Sequence, residues 1–249
     1  MSVKKGDFIL IDYTVKIKET GEIFDATMAE DAKIGGIFKS DAVYEPMFIV
    51  VGNNWVLKKL DNSLIGLEIE NKTTIEIAPE EGFGLRDPAK VKIIPINKLR
   101  KQNVKLYPGA QIEIDERPAV VRSVGAGRVQ VDFNSPLAGK TLVYDLAVKK
   151  IIEDKFEKIK ALVHRRISTI DIEKFNIQVN QDEITIDVPE EAFYLQGIQV
   201  AKRGIVTDLQ TFFSTEKVIF TETFTKPSLL PSEELSKQGD GPADTQSAP

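Results

Sequence analysis

The sequence predicts an α+β protein built of several lobes, and three observations carry that reading. Ile9, Ile11, Tyr13, Val15 and Ile17 alternate with Leu10, Asp12, Thr14 and Lys16, the period of a half-buried strand. Val56, Leu57, Leu60 and Leu64 then set one apolar stripe on a short helix between strands. After Ile152 the chain changes character, and two longer amphipathic helices alternate with short strands. Strands and helices mixed in this order fit a two-layer α+β architecture.

The elements follow in order. The run Val51-Gly-Asn-Asn-Trp-Val-Leu-Lys-Lys-Leu60-Asp-Asn-Ser-Leu-Ile-Gly66 reads as a strand end, a short helix and a glycine stop. Asn54 is the expected N-cap, because its side chain can accept from a free backbone N–H. Thr73 to Ala78 is the next strand, and Pro79-Glu-Glu-Gly-Phe83-Gly84 the tight turn after it. Beyond Gly84, Pro95 to Gln102 reads as a short helix, and Ala110 to Ile114, Ala119 to Val124 and Arg128 to Phe133 read as antiparallel strands. Asp115-Glu116 and Gly125-Ala-Gly127 supply their turns. Leu142 to Lys149 returns to the alternating pattern, with Leu142, Tyr144, Leu146 and Val148 on one face.

Asp154-Lys-Phe-Glu157 is a capping-box-like helix start, followed by the stripe Phe156, Ile159, Leu162, Val163 and Ile167. Phe175, Ile177 and Val179 alternate, Asn180 to Glu183 turns, and Ile184, Ile186 and Val188 alternate back as a hairpin. Ile198, Ala201, Ile205, Leu209 and Phe212 stripe a second helix, and Val218 to Phe224 is a last strand. From Pro227 onward the composition offers little to bury, which predicts a disordered tail over 227–249.

These motifs together resemble an FKBP-type peptidyl-prolyl isomerase. Gly6-Asp-Phe-Ile-Leu-Ile-Asp-Tyr13 is similar to the family strand carrying a pocket tyrosine, and Gly21-Glu-Ile-Phe24-Asp25 to the aromatic-plus-aspartate turn after it. Pro46-Met47-Phe-Ile49 matches the strand before the helix, and Leu137-Ala-Gly-Lys-Thr-Leu-Val-Tyr144 the closing strand. The insert ending Asn134-Ser-Pro-Leu-Ala-Gly is similar to SlyD-like members with an insert-in-flap domain, here of the long archaeal type with an extra C-terminal domain. The implied organisation is an isomerase domain from 1–86 and 135–153, an insert over 87–134 and a C-terminal α+β domain over 154–226.

The resemblance implies a catalytic socket of Tyr13, Phe24, Asp25, Leu57, Leu60, Phe83 and Tyr144, with Met47, Ile49 and Val56 contacting substrate. Leu60 would floor the proline ring; Phe24, Phe83 and Tyr144 would be walls. The Leu57 N–H would bond a substrate carbonyl, and Asp25, oriented by Tyr13, would lie near the amide. Without the resemblance these apolar residues read as core, and Asp25 as a turn residue. Three positions depart from the family pattern: Leu60 where Trp is frequent, Phe83 where Tyr is usual, and Lys59 where Gly is usual. They imply weaker macrolide binding more than weaker isomerisation. In the insert, Ile93, Ile94, Leu99, Val104 and Leu106, with Ile96, are the apolar candidates for holding an unfolded chain.

Composition sets the outer bounds. A net charge of -5 argues against nucleic acid as the main partner, since phosphate binding needs a basic surface. With Cys 0 there is no thiol chemistry, and the cytoplasm is the expected compartment. The N-terminus leads into a strand and no run reaches the ~20 apolar residues of a membrane span, so no membrane partner is expected. No cofactor and no metal site are expected: His164, the single histidine, reads as a surface residue of the helix after Asp154. The expected partners are unfolded or partly folded chains containing proline. A second copy of the chain, meeting it through the C-terminal domain, is a further expectation, because Phe212 and Phe213 point about 100° apart, so that one can enter the module's own core while the other faces outward. The alternative to an active isomerase is a holdase-type chaperone with vestigial isomerase activity. An RNA-binding C-terminal module is disfavoured, since it lacks a Gly-x-x-Gly clamp and paired strand aromatics.

Overall fold

The computed structural model describes residues 1–100 and 105–225; Val104 and the 227–249 tail lie outside them. The chain forms two compact units, Met1–Ile172 and Glu173–Pro249.

The first unit opens with β1 (Phe8–Ile17), β2 (Ile23–Ala26), the short α1 (Ala29–Ile34), β3 (Met47–Val50), α2 (Lys58–Ser63) and β4 (Lys72–Ile77). The insert supplies β5 (Val91–Pro95), α3 (Ile96–Arg100), β6 (Gln111–Ile114), β7 (Arg117–Gly125) and β8 (Arg128–Asp132). The chain then returns through β9 (Leu142–Ile152) and α4 (Lys155–Arg166).

β9 lies between β1 and β4, antiparallel to both. The other edge of β1 is shared: Phe8 to Ile11 pair with β3, and Thr14 to Lys16 with β2. Alternation along β1 buries Ile9, Ile11, Tyr13, Val15 and Ile17 as predicted. Ile9, Ile11, Tyr13 and Val15 join Ile49, Val51, Leu60, Leu64, Ile75, Ile77, Leu142, Leu146 and Val148 in one core under α2.

Asn54 is not the cap of α2. The helix starts later, with Leu57 as N-cap, and Asn54 sits in a left-handed conformation at φ 55. Its backbone N–H donates instead to Asp61 Oδ2 at 2.9 Å, and that of Gly52 to Asp61 Oδ1 at 2.8 Å. The buried Asp61 thus folds the 52–54 loop back onto α2, where an Asn cap would have served only one N–H. Neither α1 nor β5 was legible, because each is too short to show a period.

The insert is a four-stranded sheet in the order β5-β8-β7-β6. Its two central hairpins turn at Asp115-Glu116 and Ala126-Gly127, with φ 50 and 60, and 47 and 71. Positive φ at both turn positions matches the right-handed twist of the flanking strands. Leu99 is buried in this lobe's core with Ile112, Ile114, Val121, Val129 and Val131, and Ile94, Ile96 and Leu106 pack against it.

The lobe leaves and rejoins the five-stranded sheet's side of the chain at adjacent points. Gly139 N–H donates to Gly84 O at 2.8 Å. Asn134 accepts from Asp87 N–H at 2.9 Å and returns a bond to Asp87 O at 2.9 Å. Asp132, only 2% exposed, accepts from Arg122 at 2.8 and 3.0 Å, from Arg86, and from both the backbone and side chain of Asn134. Burial alone would raise its pKa, but the Asn134 donors and the two arginines outweigh it and hold the carboxyl at about 2.

The second unit contains β10 (Asn176–Val179), β11 (Glu183–Val188), α5 (Ile198–Phe213) and β12 (Lys217–Glu222). β10 and β11 form the predicted hairpin, and β12 runs parallel to β11, so α5 makes the crossover that a parallel pair requires. Lys202, on the inner face of α5, pairs with Glu222 and lies 5.6 Å from the Phe220 ring, which places α5 across β12.

α4 begins as predicted, with Asp154 accepting from Glu157 N–H at 2.9 Å. It differs from expectation at Phe156, which is exposed while Ile159, Leu162 and Val163 are buried. Phe156 occupies the first turn, and Lys160, one turn on, covers its ring at 5.3 Å.

Asp132→Asn should destabilise the first unit by on the order of 2 kcal/mol at pH 7, the linkage value of a carboxyl lowered from 3.8 to about 2. A depressed carboxyl contributes above its unfolded pKa and loses the contribution as pH falls through its folded one. Urea unfolding of the wild type and the variant should therefore differ at neutral pH and converge between about pH 4 and 2.

Candidate active site

The sheet and α2 bring Tyr13, Phe24, Asp25, Ile49, Val56, Leu57, Leu60 and Tyr144 of the predicted residues to one place. Inward alternation on β1 turns Tyr13 into the core, where its Oη donates to Asp25 Oδ2 at 2.9 Å. Asp25 is held there by a β-bulge: Val15 pairs with Asp25 and Lys16 with Ile23, leaving Phe24 as the extra residue. A bulge re-aims the side chains around it, and here Phe24 packs onto the core while the neighbouring Asp25 stays exposed. Thr27 secures the strand beyond, accepting from Tyr13 N–H at 2.9 Å and donating to Asp12 at 3.0 Å.

Tyr144 pairs with Val15 across β1 and β9, so it stands diagonal to Tyr13 on the same face. Their ring centroids are 5.8 Å apart with planes at 53°. Burial first, then the Asp25 charge, raises the Tyr144 hydroxyl to about 12. The same two causes push Tyr13 far above the usual tyrosine range. Both phenols therefore remain protonated at neutral pH, Tyr13 as a donor to Asp25.

α2 provides the other wall. Leu60 and Ile49 are fully buried beside Tyr13, and Phe24, Val56, Leu57 and Tyr144 are half-buried against the same cluster. Leu57 is the N-cap, and no side chain caps it. The first N–H groups of a helix lack intrahelical partners, so this end offers donors to an incoming carbonyl.

Met47 and Phe83 lie outside that cluster, exposed by 36% and 44%. Phe83 rides on a turn closed by Gly84 N–H to Pro79 O at 2.7 Å, and Gly84 has φ +81, which a residue with a Cβ rarely adopts. Lys59, unusual at its position, pairs with Glu81 of that turn at 3.3 Å and so ties α2 to it.

The insert candidates separate. Ile93 is 63% exposed and Ile94 half-buried. Leu106 is half-buried against the lobe's core, and Leu99 is inside it, so Leu99 is a packing residue in this structure and presents no surface. Val104 lies outside the described residues.

Sequence reasoning missed Asp61, Thr27 and Glu81, whose roles rest on backbone N–H groups and side chains that only the fold brings near. It also misread His164. That side chain is half-buried, with Nε2 2.8 and 2.9 Å from the two Glu45 carboxylate oxygens. No signal in the sequence links positions so far apart.

Three family models match the chain: FKBP-type peptidyl-prolyl cis-trans isomerase over residues 1–107, FKBP26 IF domain over 92–137, and FKBP26 C-terminal over 155–225. The chain is 32% identical over 149 residues to the short-type peptidyl-prolyl cis-trans isomerase of Methanocaldococcus jannaschii, spanning 60% of this chain and 94% of that protein. It is 35% identical over 108 residues to a probable FKBP-type 16 kDa isomerase of Pseudomonas fluorescens, spanning 41% and 71%. It is 26% identical over 160 residues to the SlyD isomerase of Helicobacter pylori, spanning 62% and 78%. An antiparallel sheet, a short helix on its inner face and an aromatic-lined cluster between them belong to the class of enzymes that rotate prolyl bonds. The chain belongs to the FKBP-type peptidyl-prolyl cis-trans isomerases, and prolyl isomerisation is its activity.

Asp25→Asn should lower the Tyr144 titration from about 12 toward the ordinary value near 10, with burial keeping it above that value. Phenolate absorbance, compared with a Tyr144→Phe control, reads the change directly. A downward shift marks Asp25 as the charge that Tyr144 feels; an unmoved titration would leave burial as the sole cause.

Proposed function

We propose that this enzyme accelerates proline-limited folding of other polypeptides, with the socket doing the chemistry and the insert holding the client. The carrying observation is the Tyr13–Asp25 hydrogen bond beside Tyr144, set over a floor of Leu60 and Ile49.

The prolyl bond resists rotation by ~18–20 kcal/mol because its C–N bond has partial double-bond character. In the twisted state nitrogen loses conjugation and the amide becomes less polar, so an apolar socket favours that state over the planar one. In this reading Leu60 supports the proline ring, and Phe24, Tyr144 and Phe83 exclude water from its sides. The Leu57 N–H holds a substrate carbonyl in place. Asp25, anchored by Tyr13 through one oxygen, supplies the local field at the amide carbonyl. Met47, Ile49 and Val56 contact the flanking residues.

Client holding is supported by the exposed Ile93 and half-buried Ile94 on β5, an edge strand of the insert sheet. Edge strands present unpaired backbone groups to which an extended chain can add. Tyr194, Val200 and Phe224 of the second unit are exposed by 84%, 77% and 67%. They support a role for that unit in binding either client or a second copy of the chain, and an apolar surface of this kind favours the homodimer. We assign the cytoplasm as the compartment and no nucleic-acid partner on the acidic, cysteine-free composition. No described helix is long and apolar enough to cross a membrane.

Asp25→Ala and Phe83→Ala should each lower kcat/KM on a short proline peptide roughly tenfold, about 1.4 kcal/mol of barrier, with cooperative unfolding retained. Unchanged activity in both would remove the socket assignment.

Replacing residues 88–133 by a short loop between Asp87 and Asn134 should spare peptide turnover and sharply slow catalysis on a refolding protein. Remote binding raises the local concentration of client prolines at the socket, and the deletion removes it. A truncated form that catalyses refolding as well as the full chain would take the client away from the insert.

A further inference from the structure

Two contacts from the last turn of α4 reach the segment of the isomerase lobe that carries the socket. His164 Nε2 is 2.8 and 2.9 Å from the Glu45 carboxylate oxygens, just ahead of β3. The neighbouring Arg165 guanidinium stands 3.8 Å from the centre of the Trp55 ring, just ahead of Val56 and Leu57.

Trp55 belongs to an aromatic row. It meets Phe48 edge-on at 5.8 Å and 72°, and Phe48 meets Phe8 at 5.7 Å and 42°. Lys158, earlier on α4, stands 5.2 Å over Phe8. α4 therefore places one cation over Phe8 and another over Trp55. Trp offers the best aromatic face for a cation, and Arg is its more frequent partner.

The row sits behind the socket. Phe48 lies between Met47 and Ile49 on β3, and strand alternation sends Phe48 to the face opposite the buried Ile49. Trp55 immediately precedes Val56 and Leu57, and the turn joining them is fastened by Asp61. Holding Phe48 and Trp55 from behind fixes the backbone that places Met47, Ile49, Val56 and the N–H of Leu57.

His164 strengthens the point. Its Nδ1 is buried and has no hydrogen-bond partner among the described residues. A buried polar atom left unpaired costs free energy, so the ring's position is set by Glu45 and not by its own solvation.

We propose that α4 is a positioning clamp for the isomerase socket: through His164 on Glu45 and Arg165 on Trp55 it sets the placement of the Leu57 N–H. This rests on the socket reading given above. His164 and Arg165 act through other residues, and neither touches substrate.

The test uses the full chain, a short proline peptide and the single tryptophan, which is Trp55 itself. Arg165→Ala and His164→Ala should each shift Trp55 emission and lower kcat/KM about three- to tenfold, the scale expected of network residues that do not contact ligand. Melting of the variants should stay cooperative and well above the assay temperature. Arg165→Lys keeps a cation over the ring and should recover most of the activity; His164→Gln keeps a donor toward Glu45 and should do the same. Saturating peptide should shift Trp55 emission in the wild type, because coupling between two sites is reciprocal. If Arg165→Ala moves the emission but leaves kcat/KM within twofold, while Asp25→Ala loses activity, the clamp is overturned and the socket stands. If Asp25→Ala also keeps full activity, the socket assignment fails and takes the clamp with it.

Discussion

Everything in the first unit depends on the long antiparallel pairing of β1 with β9. It joins Phe8–Ile17 to Leu142–Ile152, and so closes the sheet across the whole insert. A contact of such sequence separation must overcome the entropy of a long loop before it contributes. The apolar faces of both strands offset that cost, since Ile9, Ile11, Val15, Leu142, Leu146 and Val148 leave water together. The same pairing sets Tyr144 diagonal to Tyr13, so the site is a direct product of the register. A slip by one residue would turn Tyr144 to the other face of the sheet.

Closing the sheet constrains the insert as well. Its ends must meet where the sheet edge releases them, and they do so through Asp87 and Asn134. Asp132 lies beside that neck as a buried carboxylate, which is tolerable only when it is fully paired. Arg86 comes from the isomerase side of the neck and Arg122 from β7 of the insert, and one oxygen of Asp132 serves both. The charge that would be a cost to either lobe alone becomes a joint between them.

The socket itself spends few polar groups. In the proposed socket one carboxylate, two phenols and one uncapped helix end stand among side chains that are otherwise hydrocarbon. That economy suits a reaction in which no bond is made or broken and the transition state differs from the ground state mainly in polarity and twist. It also explains why small backbone features matter. The bulge at Phe24, the positive φ at Asn54 and Gly84, and the grip of Asp61 on the 52–54 loop decide where the few polar atoms stand.

Much of this was legible in the sequence wherever neighbours along the chain decide the outcome. Alternation at Ile9 to Ile17 specified β1 and its inner face, Asp154 specified the start of α4, and Asp115-Glu116 and Gly125-Ala-Gly127 specified hairpin turns. The order of elements in the second unit was readable for the same reason, because periods of two and 3.6 are local properties. The socket residues came from a motif resemblance, and their contacts could not be read from spacing. Tertiary structure alone decided that Asn54 gives up capping to the loop held by Asp61, that Leu99 is core, and that His164 and Arg165 lie against Glu45 and Trp55. In each case the deciding partner is remote in sequence or is a backbone N–H, and neither leaves a trace in local pattern. What the chain carries in its order is the shape of each element; which faces meet is settled only when β1 and β9 have closed the sheet.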